Sequence, residues 1–308
     1  MKKIIIIFIV LISTIETRAQ QDSQFTNYMY NTVNINPAYA GTREVMSIFG
    51  LHRSQWVGLN GAPVTNTFAL HTPIKNSKFG LGISFINDKI GPQNENNIQA
   101  DVSYSIPTSE KFTLSFGLKA SANLLNIDWS KLNIYNSPDY LSQYNIENKF
   151  SPNIGAGAYL HSDKTYFGFS IPNFLETKHF DEGDNLSNSS VASERMHMFL
   201  IAGHVFDVHP NIKFKPAVLS KVVTGAPLQV DVSANFLFNE KFTAGLAYRW
   251  DAAFSALLGF QVSDGWFIGY AYDMEVTKLA NYNSGSHEFF LRYELFKNYD
   301  KVISPRFF

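Results

Sequence analysis

The 308-residue chain contains no cysteine, so it can form no disulfide bond and no thiolate metal site. Beyond residue 12 no run approaches the roughly 20 apolar residues of a membrane-spanning helix, and spanning helices are not expected. The formal net charge of −1 at pH 7 gives no sign of a nucleic-acid partner. The sequence also lacks a glycine-rich phosphate loop and a His-x-x-x-His zinc pair. We therefore expect no cofactor, no metal and no enzymatic activity.

The N-terminus has the features of a secretory signal peptide. Lys2 and Lys3 precede an apolar run from Ile4 to Ile12, and a polar stretch then leads to Ala19. A run of this length is too short to span about 30 Å of hydrocarbon as a helix. We predict that residues 1–19 are removed after Ala19, which places the mature chain outside the cytoplasm.

The most frequent pattern in the rest of the chain is an alternation of apolar with polar or small residues. Near residue 100, for example, Ile98, Ala100 and Val102 alternate with Gln99 and Asp101. Side chains on a strand point alternately to opposite faces, so this pattern predicts strands with one apolar and one polar face. The predicted strands are 44–56, 64–75, 79–88, 96–106, 111–124, 150–162, 165–172, 196–207, 212–222, 227–238, 241–250, 253–263, 266–275 and 286–296.

The connections between these strands alternate in length. Every second connection is short, and the intervening ones include the long loops 125–149, 173–195 and 276–285. Outer-membrane barrels show this asymmetry, with short periplasmic turns and longer surface loops. The sequence therefore predicts an all-β, antiparallel transmembrane barrel of about 14 strands over residues 44–296. Its location would be the outer membrane of a Gram-negative bacterium, in contact with the outer-membrane lipids.

The aromatic and charged residues agree with a barrel. Aromatic residues make up 15% of the chain, with 27 Phe, which suits a lipid-facing surface flanked by Tyr and Trp. A lipid-facing Lys or Arg near the midplane would cost about 2–4 kcal/mol, so the charges on the strands are predicted to face the lumen. These charged residues are Asp101, Lys119, Asp231, Arg249, Asp273, Glu288, Arg292 and Glu294.

Three segments do not follow the alternation. Residues 20–43 are too apolar for a disordered tail, and they form either a lead-in to the barrel or a segment in the lumen or under its periplasmic mouth. Loop 173–195 contains an acidic cluster from Asp181 to Asn185 with oxygen ligands that suit Ca²⁺. The cluster lacks the spacing of a defined calcium loop, so a solvated surface loop is the favoured interpretation. Residues 297–308 are expected to be a C-terminal periplasmic tail, because Pro305 cannot donate to a strand ladder.

Several short motifs in these segments and in the first loop point to one family. They are Gln24-Phe25 and Tyr28-Met29; Asn36, Pro37, Ala38, Tyr39, Ala40 and Gly41; Arg53, Gln55, Trp56, Gly58, Gly61, Ala62, Pro63 and Thr65; and Ser304, Pro305, Arg306, Phe307 and Phe308. Together they resemble the PorP/SprF family, outer-membrane proteins of the type IX secretion and gliding system in the Bacteroidota. One departure is Ser23, where the family is expected to favour proline.

The resemblance implies a component that receives or anchors a secreted cell-surface adhesin through its type B C-terminal domain. Further partners would be the periplasmic motor ring or the translocon. The motif residues are candidates either to fix the fold or to shape a docking surface, and glycine in particular suits turns. The alternative is an outer-membrane porin or a hydrophobic-solute transport channel, which would have an open lumen.

Overall fold

The computed structural model describes residues 24–131, 145–176, 196–295 and 306, and it shows a closed antiparallel β-barrel. Fifteen strand segments form 14 strands, because the eighth strand is interrupted at Val205 and both of its pieces pair with the ninth. The predicted fold class is confirmed. Among the described residues, no helix has the length and apolar character needed to cross a membrane.

The strands are labelled in chain order. They are β1 (Met46–Ser54), β2 (Val64–Pro73), β3 (Phe79–Ile90), β4 (Gln93–Pro107), β5 (Thr113–Ile127), β6 (Ile146–His161), β7 (Thr165–Ile171), β8 (His197–His204 and Phe206–His209), β9 (Ile212–Val223), β10 (Gln229–Phe238), β11 (Phe242–Arg249), β12 (Ala253–Gln261), β13 (Trp266–Glu275) and β14 (Ser286–Leu295). Short helical turns lie at Tyr28–Tyr30, Thr32–Ile35, Pro37–Tyr39, Trp129–Lys131 and Lys278–Asn281.

Each strand pairs with its neighbours in the sequence, and β14 pairs with β1 to close the barrel. We call the end with the long connections, among them 128–145 and 172–196, the loop end. The opposite end, the turn end, has only short connections. At one of these turns Asn239 and Glu240 both adopt positive φ, as a two-residue hairpin turn requires.

Some strands extend further toward the loop end than the alternation predicts. β3 and β4 continue to a tight turn at 91–92, whereas the sequence suggested strands that stop at 88 and restart at 96. Likewise β5 runs to Ile127 and β6 begins at Ile146, inside the predicted loop 125–149. The added residues of β3, β4 and β6 are mostly polar on both faces, as in Gln93, Asn94 and Glu95. A strand without an apolar face carries no alternation, which is why the sequence places these ends too early, whereas Leu125 and Ile127 of β5 continue the alternation and were missed.

The two faces of the wall differ as expected for a barrel in lipid. Large apolar side chains are exposed on the outside, and examples on four strands are Phe79, Leu81, Ile83, Phe85, Leu118, Leu246 and Phe289. The eight strand charges predicted to face the lumen are all inside the barrel, and seven of them are buried. Glu294 is the exception, with 12% of its side chain exposed.

Residues 24–43 lie inside the barrel, and we call this segment the plug. Gln24 is at the loop end, where its amide pairs with that of Gln229 on β10. Gly41 is at the turn end, close to Pro73 and Gly80. Most residues between them are buried. The described part of the segment, residues 24–43, therefore lies in the lumen, and residues 20–23 lie outside the described residues.

The plug and the inner wall form a hydrophobic core at mid-height. Tyr28, Met29, Tyr30, Val33 and Tyr39 of the plug belong to one buried cluster with wall residues. The wall contributes Phe49, Tyr159, Phe199, Phe267 and Phe290, among others. The inner face therefore carries apolar residues that pack against the plug as well as polar and charged ones, and it is not polar throughout.

Candidate functional site

The Asn36–Gly41 motif forms a tight turn pressed against the wall. The Asn36 side chain caps the short helix Pro37–Tyr39 by accepting a hydrogen bond from the Ala38 amide at 3.0 Å. Its Nδ2 atom also donates to the carbonyl oxygen of Ala158 on β6 at 3.1 Å. Asn36 and Ala38 are both fully buried. One side chain thus sets the local turn and fixes it to the barrel.

Glycines on the wall make room for this turn. A Cβ atom built on Gly117 of β5 would lie 2.1 Å from the Ala38 nitrogen. On Gly80 of β3 it would lie 2.2 Å from the Ala40 carbonyl oxygen. Real Cβ atoms never approach backbone atoms this closely, so any side chain at these positions would displace the plug. Glycine permits close backbone approach, and the wall uses it where the motif docks.

The second half of the motif makes specific contacts near the turn end. The Tyr39 ring packs edge-on against His71 and Tyr159, with centroid distances of 5.4 and 5.5 Å. Gly41 has φ of +76°, a conformation that glycine adopts without strain. Its amide lies 3.3 Å from Nδ1 of His71. All six motif residues contact the barrel's own wall, which favours a packing role over docking of a partner.

At the loop end, Arg53 joins the plug to two strands. Its guanidinium lies 2.8 Å from Oδ2 of Asp273 and 3.1 Å from Oε2 of Glu288. Glu288 has no exposed surface, and it accepts hydrogen bonds from the backbone amides of Thr26 at 3.0 Å and Asn27 at 2.8 Å. We call these five residues the polar latch. Charge-assisted bonds of this kind are stronger than neutral ones, and burial shields them from water.

Two further cations, one on the wall and one on the plug, join the plug to the wall. Nζ of Lys119 donates to the Asn34 carbonyl oxygen at 2.8 Å and lies 3.7 Å from Oδ1 of Asp101. Near the turn end, Nε of plug residue Arg43 donates to Oε1 of Glu294 at 2.5 Å. Charge-assisted hydrogen bonds therefore hold the plug at several heights, in addition to its apolar core.

The motif at 53–65, which we call the second motif, contains the loop between β1 and β2 at the loop end. The backbone amide of Gln55 donates to the Pro63 carbonyl oxygen at 3.0 Å, and this bond closes the loop. Trp56 Nε1 donates to Oε2 of Glu275 at 3.1 Å, and the Gly61 carbonyl oxygen accepts from the Gly91 amide at 2.9 Å. Within the loop, the backbone amide of Ala62 donates to the Leu59 carbonyl oxygen at 3.3 Å and closes a turn. These bonds tie the loop to the connections on both sides.

Of the C-terminal motif, Arg306 lies within the described residues, whereas Pro305, Phe307 and Phe308 lie outside them. Arg306 is buried at the turn end, and its guanidinium donates to the carbonyl oxygens of Ser162 and Thr42, the latter at 2.8 Å. Burial lowers the pKa of Arg306 from its ordinary value. The arginine connects the end of the chain to the base of the plug.

Replacing Arg306 with alanine should destabilise the barrel. The carbonyl oxygens of Ser162 and Thr42 would lose a charged donor, and hydrogen bonds to charged groups contribute about 1.5–3 kcal/mol each. We expect a lower denaturant midpoint, measured by intrinsic fluorescence in detergent. Lys131→Ala is the matched control, since it removes an exposed cation and should leave the midpoint unchanged. Equal midpoints for both variants would contradict a role for Arg306 in holding the plug.

Above the plug, the loop end contains a cavity of about 920 Å³, which we call the vestibule. Its floor is made by Gln24, Phe25, Asn34 and Ile35 of the plug. Its lining also includes four residues of the second motif, namely Arg53, Gln55, Trp56 and Pro63, and polar side chains of β4, β5, β6 and β13. A concave space with converging polar groups is the feature of the described structure best suited to binding.

The sequence motifs therefore fall into different places. Asn36–Gly41 and Arg306 lie at the turn end, whereas Arg53 and the β1–β2 loop lie at the vestibule. Sequence reasoning missed Thr26, Asn27 and Asn34, which are small polar residues without a recognisable spacing. The glycines on the polar faces of the strands were the available signal for a close inner contact, because glycine weakens a strand unless another backbone approaches it.

The structure gives no support for a metal centre within its described residues, where no group of three or more His, Asp or Glu is arranged to hold an ion. The acidic cluster from Asp181 to Asn185 lies outside the described residues.

Comparisons with known proteins agree with the barrel. The solved structure of the Ralstonia pickettii toluene transporter TbuX is similar, with a TM-score of 0.50 and 10% identity over 87% of this chain and 92% of that chain. The Acinetobacter baumannii outer membrane protein Omp33 aligns with a TM-score of 0.48 and 7% identity, over 83% of this chain and 100% of that one. At such identities the likeness to TbuX shows the fold alone.

A search of curated proteins finds no match. The family model described as type IX secretion system membrane protein PorP/SprF, by contrast, matches residues 17–293, which is most of the chain. The chain therefore belongs to the PorP/SprF family of type IX secretion system membrane proteins, and its barrel locates it in the outer membrane.

Proposed function

We propose that this barrel receives or anchors a secreted cell-surface adhesin, through the type B C-terminal domain of that adhesin. Family membership supports a role in type IX secretion, and the filled lumen is the observation that carries the anchoring role. An anchor needs a fixed position in the membrane and loops that a partner can reach. It does not need a path through the barrel. On this proposal the loop end faces the cell exterior, and the turn end faces the periplasmic motor ring or translocon.

The packing of the plug supports an anchor over an open channel. The Tyr30 ring lies 4.6 Å from that of Phe290 and 5.3 Å from that of Phe267, measured between centroids. Such aromatic pairs contribute about 0.5–1.5 kcal/mol each beyond the burial of their area. A porin requires a continuous water-filled path, whereas here buried side chains occupy the middle of the barrel. The proposal also assigns the protein no catalytic role.

The test is a mild-detergent pull-down of the tagged protein from native outer membranes, followed by mass spectrometry. The expected result is one large secreted protein, in near-stoichiometric amount, that ends in a type IX C-terminal domain. Deleting that domain from the recovered partner should abolish its recovery and leave the barrel unchanged. An unrelated tagged barrel from the same membranes is the control for non-specific capture.

Two results together would overturn the proposal. One is recovery of the barrel without such a partner. The other is steady single-channel conductance of the purified, unmodified protein in planar bilayers. This pair of results would identify a porin or hydrophobic-solute channel instead, and would require the plug to leave the lumen under ordinary conditions.

A further inference from the structure

The vestibule has a floor that is polar and incompletely paired. Asn34 lies in the short helix Thr32–Ile35 and lines the cavity, and its side chain is 6% exposed. Within the described part of the chain, neither Oδ1 nor Nδ2 of Asn34 has a hydrogen-bond partner. Leaving a buried amide unpaired is destabilising, so the fold alone does not explain an asparagine at this position. Its donor and acceptor are both unpaired but almost fully covered, so a ligand at the vestibule floor would pair with them after a rotation of the Asn34 side chain.

The wall above Asn34 carries more side-chain amides. Gln93, Asn97 and Gln99 project from alternate positions of β4, so they lie on its inner face. Asn123 of β5 and Asn153 of β6 continue the row. Some of these amides are already bonded: Asn153 to Leu175, Asn123 to Glu95, and Gln99 to Lys119. A primary amide has two N–H donors and two acceptor lone pairs, so the amides of β4 keep further groups that match the N–H and C=O of a peptide backbone. A row of them suits a ligand in extended conformation.

The charge of the vestibule is biased toward acid. Its lining contains the carboxylates Asp88, Glu95, Asp251, Asp273 and Glu275 against the cations Arg53 and Arg249. Moreover, both cations already bind carboxylates, Arg53 to Asp273 and Arg249 to Asp231. Clefts lined by one sign of charge concentrate ligands of the opposite sign. The lining therefore favours a cationic ligand.

We propose that the vestibule binds an extended peptide segment that carries basic side chains. This inference rests on the proposed function in one respect, namely that the peptide belongs to the secreted partner. A cavity of about 920 Å³ is at the upper end of the range for small-ligand sites and accommodates a few residues of peptide. The amide row forms hydrogen bonds with the peptide backbone, and the carboxylates bind the basic side chains. Asn34 contacts the peptide residue that lies deepest in the vestibule.

The test uses the full mature chain in detergent and two synthetic probes. One is a capped pentapeptide that alternates glycine with lysine, and the other alternates glycine with glutamate. Calorimetry should show binding of the lysine peptide, weakened by added salt, and none of the glutamate peptide. Trp56 and Trp250 line the vestibule, so their fluorescence provides a second readout.

Three variants locate the site. The double variant Asp251→Asn, Glu275→Gln keeps the shape of both side chains and should weaken binding of the lysine peptide about tenfold or more. Asp251 has φ of 54°, which asparagine tolerates, and glutamine at 275 can still accept the Trp56 Nε1 bond. Glu240→Gln removes a carboxylate at the turn end and should leave binding unchanged.

Asn34→Leu separates binding from folding. It removes an unpaired amide at nearly constant volume, so the denaturant midpoint should stay equal or rise while peptide affinity falls. Equal binding of the two peptides would overturn the proposal, as would unchanged affinity in the vestibule variants. Binding of a neutral oligosaccharide such as maltohexaose in place of the lysine peptide would also overturn it, and would identify a sugar site.

This test is independent of the pull-down. If a secreted partner is recovered but the lysine peptide does not bind, the vestibule proposal fails and the anchoring role stands. If the peptide binds, but no partner is recovered and the purified protein conducts steadily, the vestibule proposal stands and the anchoring role fails.

Discussion

Replacing Glu288 with alanine should lower the free energy of unfolding by about 3–5 kcal/mol, because it removes one member of a buried ion pair. The substitution leaves the backbone amides of Thr26 and Asn27 without their acceptor, and of the two carboxylates that Arg53 binds it keeps Asp273. Denaturant unfolding in detergent, followed by intrinsic fluorescence, measures the effect. Glu288→Gln retains one acceptor oxygen and should fall between the parent and the alanine variant.

The matched control for this variant is Glu240→Ala at the turn end. Glu240 also pairs with a cation, Lys213, at 2.9 Å, but 60% of its side chain is exposed. Exposed pairs contribute little because water and salt screen them, so the midpoint should hardly move. If Glu288→Ala unfolds at the same denaturant concentration as this control, the polar latch does not hold the plug.

Gly117→Val should displace the plug and open the lumen. The new Cβ atom would need to lie 2.1 Å from the Ala38 nitrogen and 2.3 Å from the Pro37 carbonyl carbon, both of them backbone atoms that cannot rotate away. The strand itself favours valine, so the wall should still form. We expect measurable single-channel conductance in planar bilayers from this variant, and none from the parent protein.

Gly50→Val is the matched control, because a Cβ atom at Gly50 of β1 meets nothing within 4 Å. It introduces the same side chain into the same kind of wall and should remain non-conducting. Conductance from both variants would show that valine disturbs the barrel wall in general. A Gly117→Val protein that does not conduct and has a normal denaturant midpoint would contradict the close contact between the wall and the turn at Pro37 and Ala38.

The fold could be predicted from the sequence to the extent that lipid imposes a pattern on it. Between the two interfaces one face of each strand must be apolar, and residues such as Phe79, Leu81 and Ile83 reveal this face. Beyond the lipid that requirement ends. For this reason the strand ends near Ile90 and Ile146 could not be located from alternation.

The interior was less predictable, because its partner is another part of the chain. Phe267 and Phe290 lie on the inner face beside charged residues, and they face Tyr30 of the plug rather than lipid. Periodicity shows which face a side chain occupies but does not show what covers that face. The vestibule could not be predicted for the same reason, because Asn34 and Gln99, which both line it, come from distant parts of the sequence.

The closing ladder between β1 and β14 has a consequence for assembly. In thirteen of the barrel's ladders a connection along the chain helps to set the register, but the first and last strands have no such hairpin. At this seam Arg53 lies directly opposite Glu288. Thr26 and Asn27 bind Glu288 at one height, and Arg43 binds Glu294 at another.

The plug therefore helps to set the register of the closing ladder between β1 and β14. A slip of the seam by one residue would turn Glu288 and Glu294 away from the lumen toward lipid, and would leave the cations and amides of the plug without their acceptors. Bringing together chain ends this far apart in sequence is entropically unfavourable, and it is offset only in the register in which the plug is docked. The segment that fills the lumen is thus also the template on which the barrel closes.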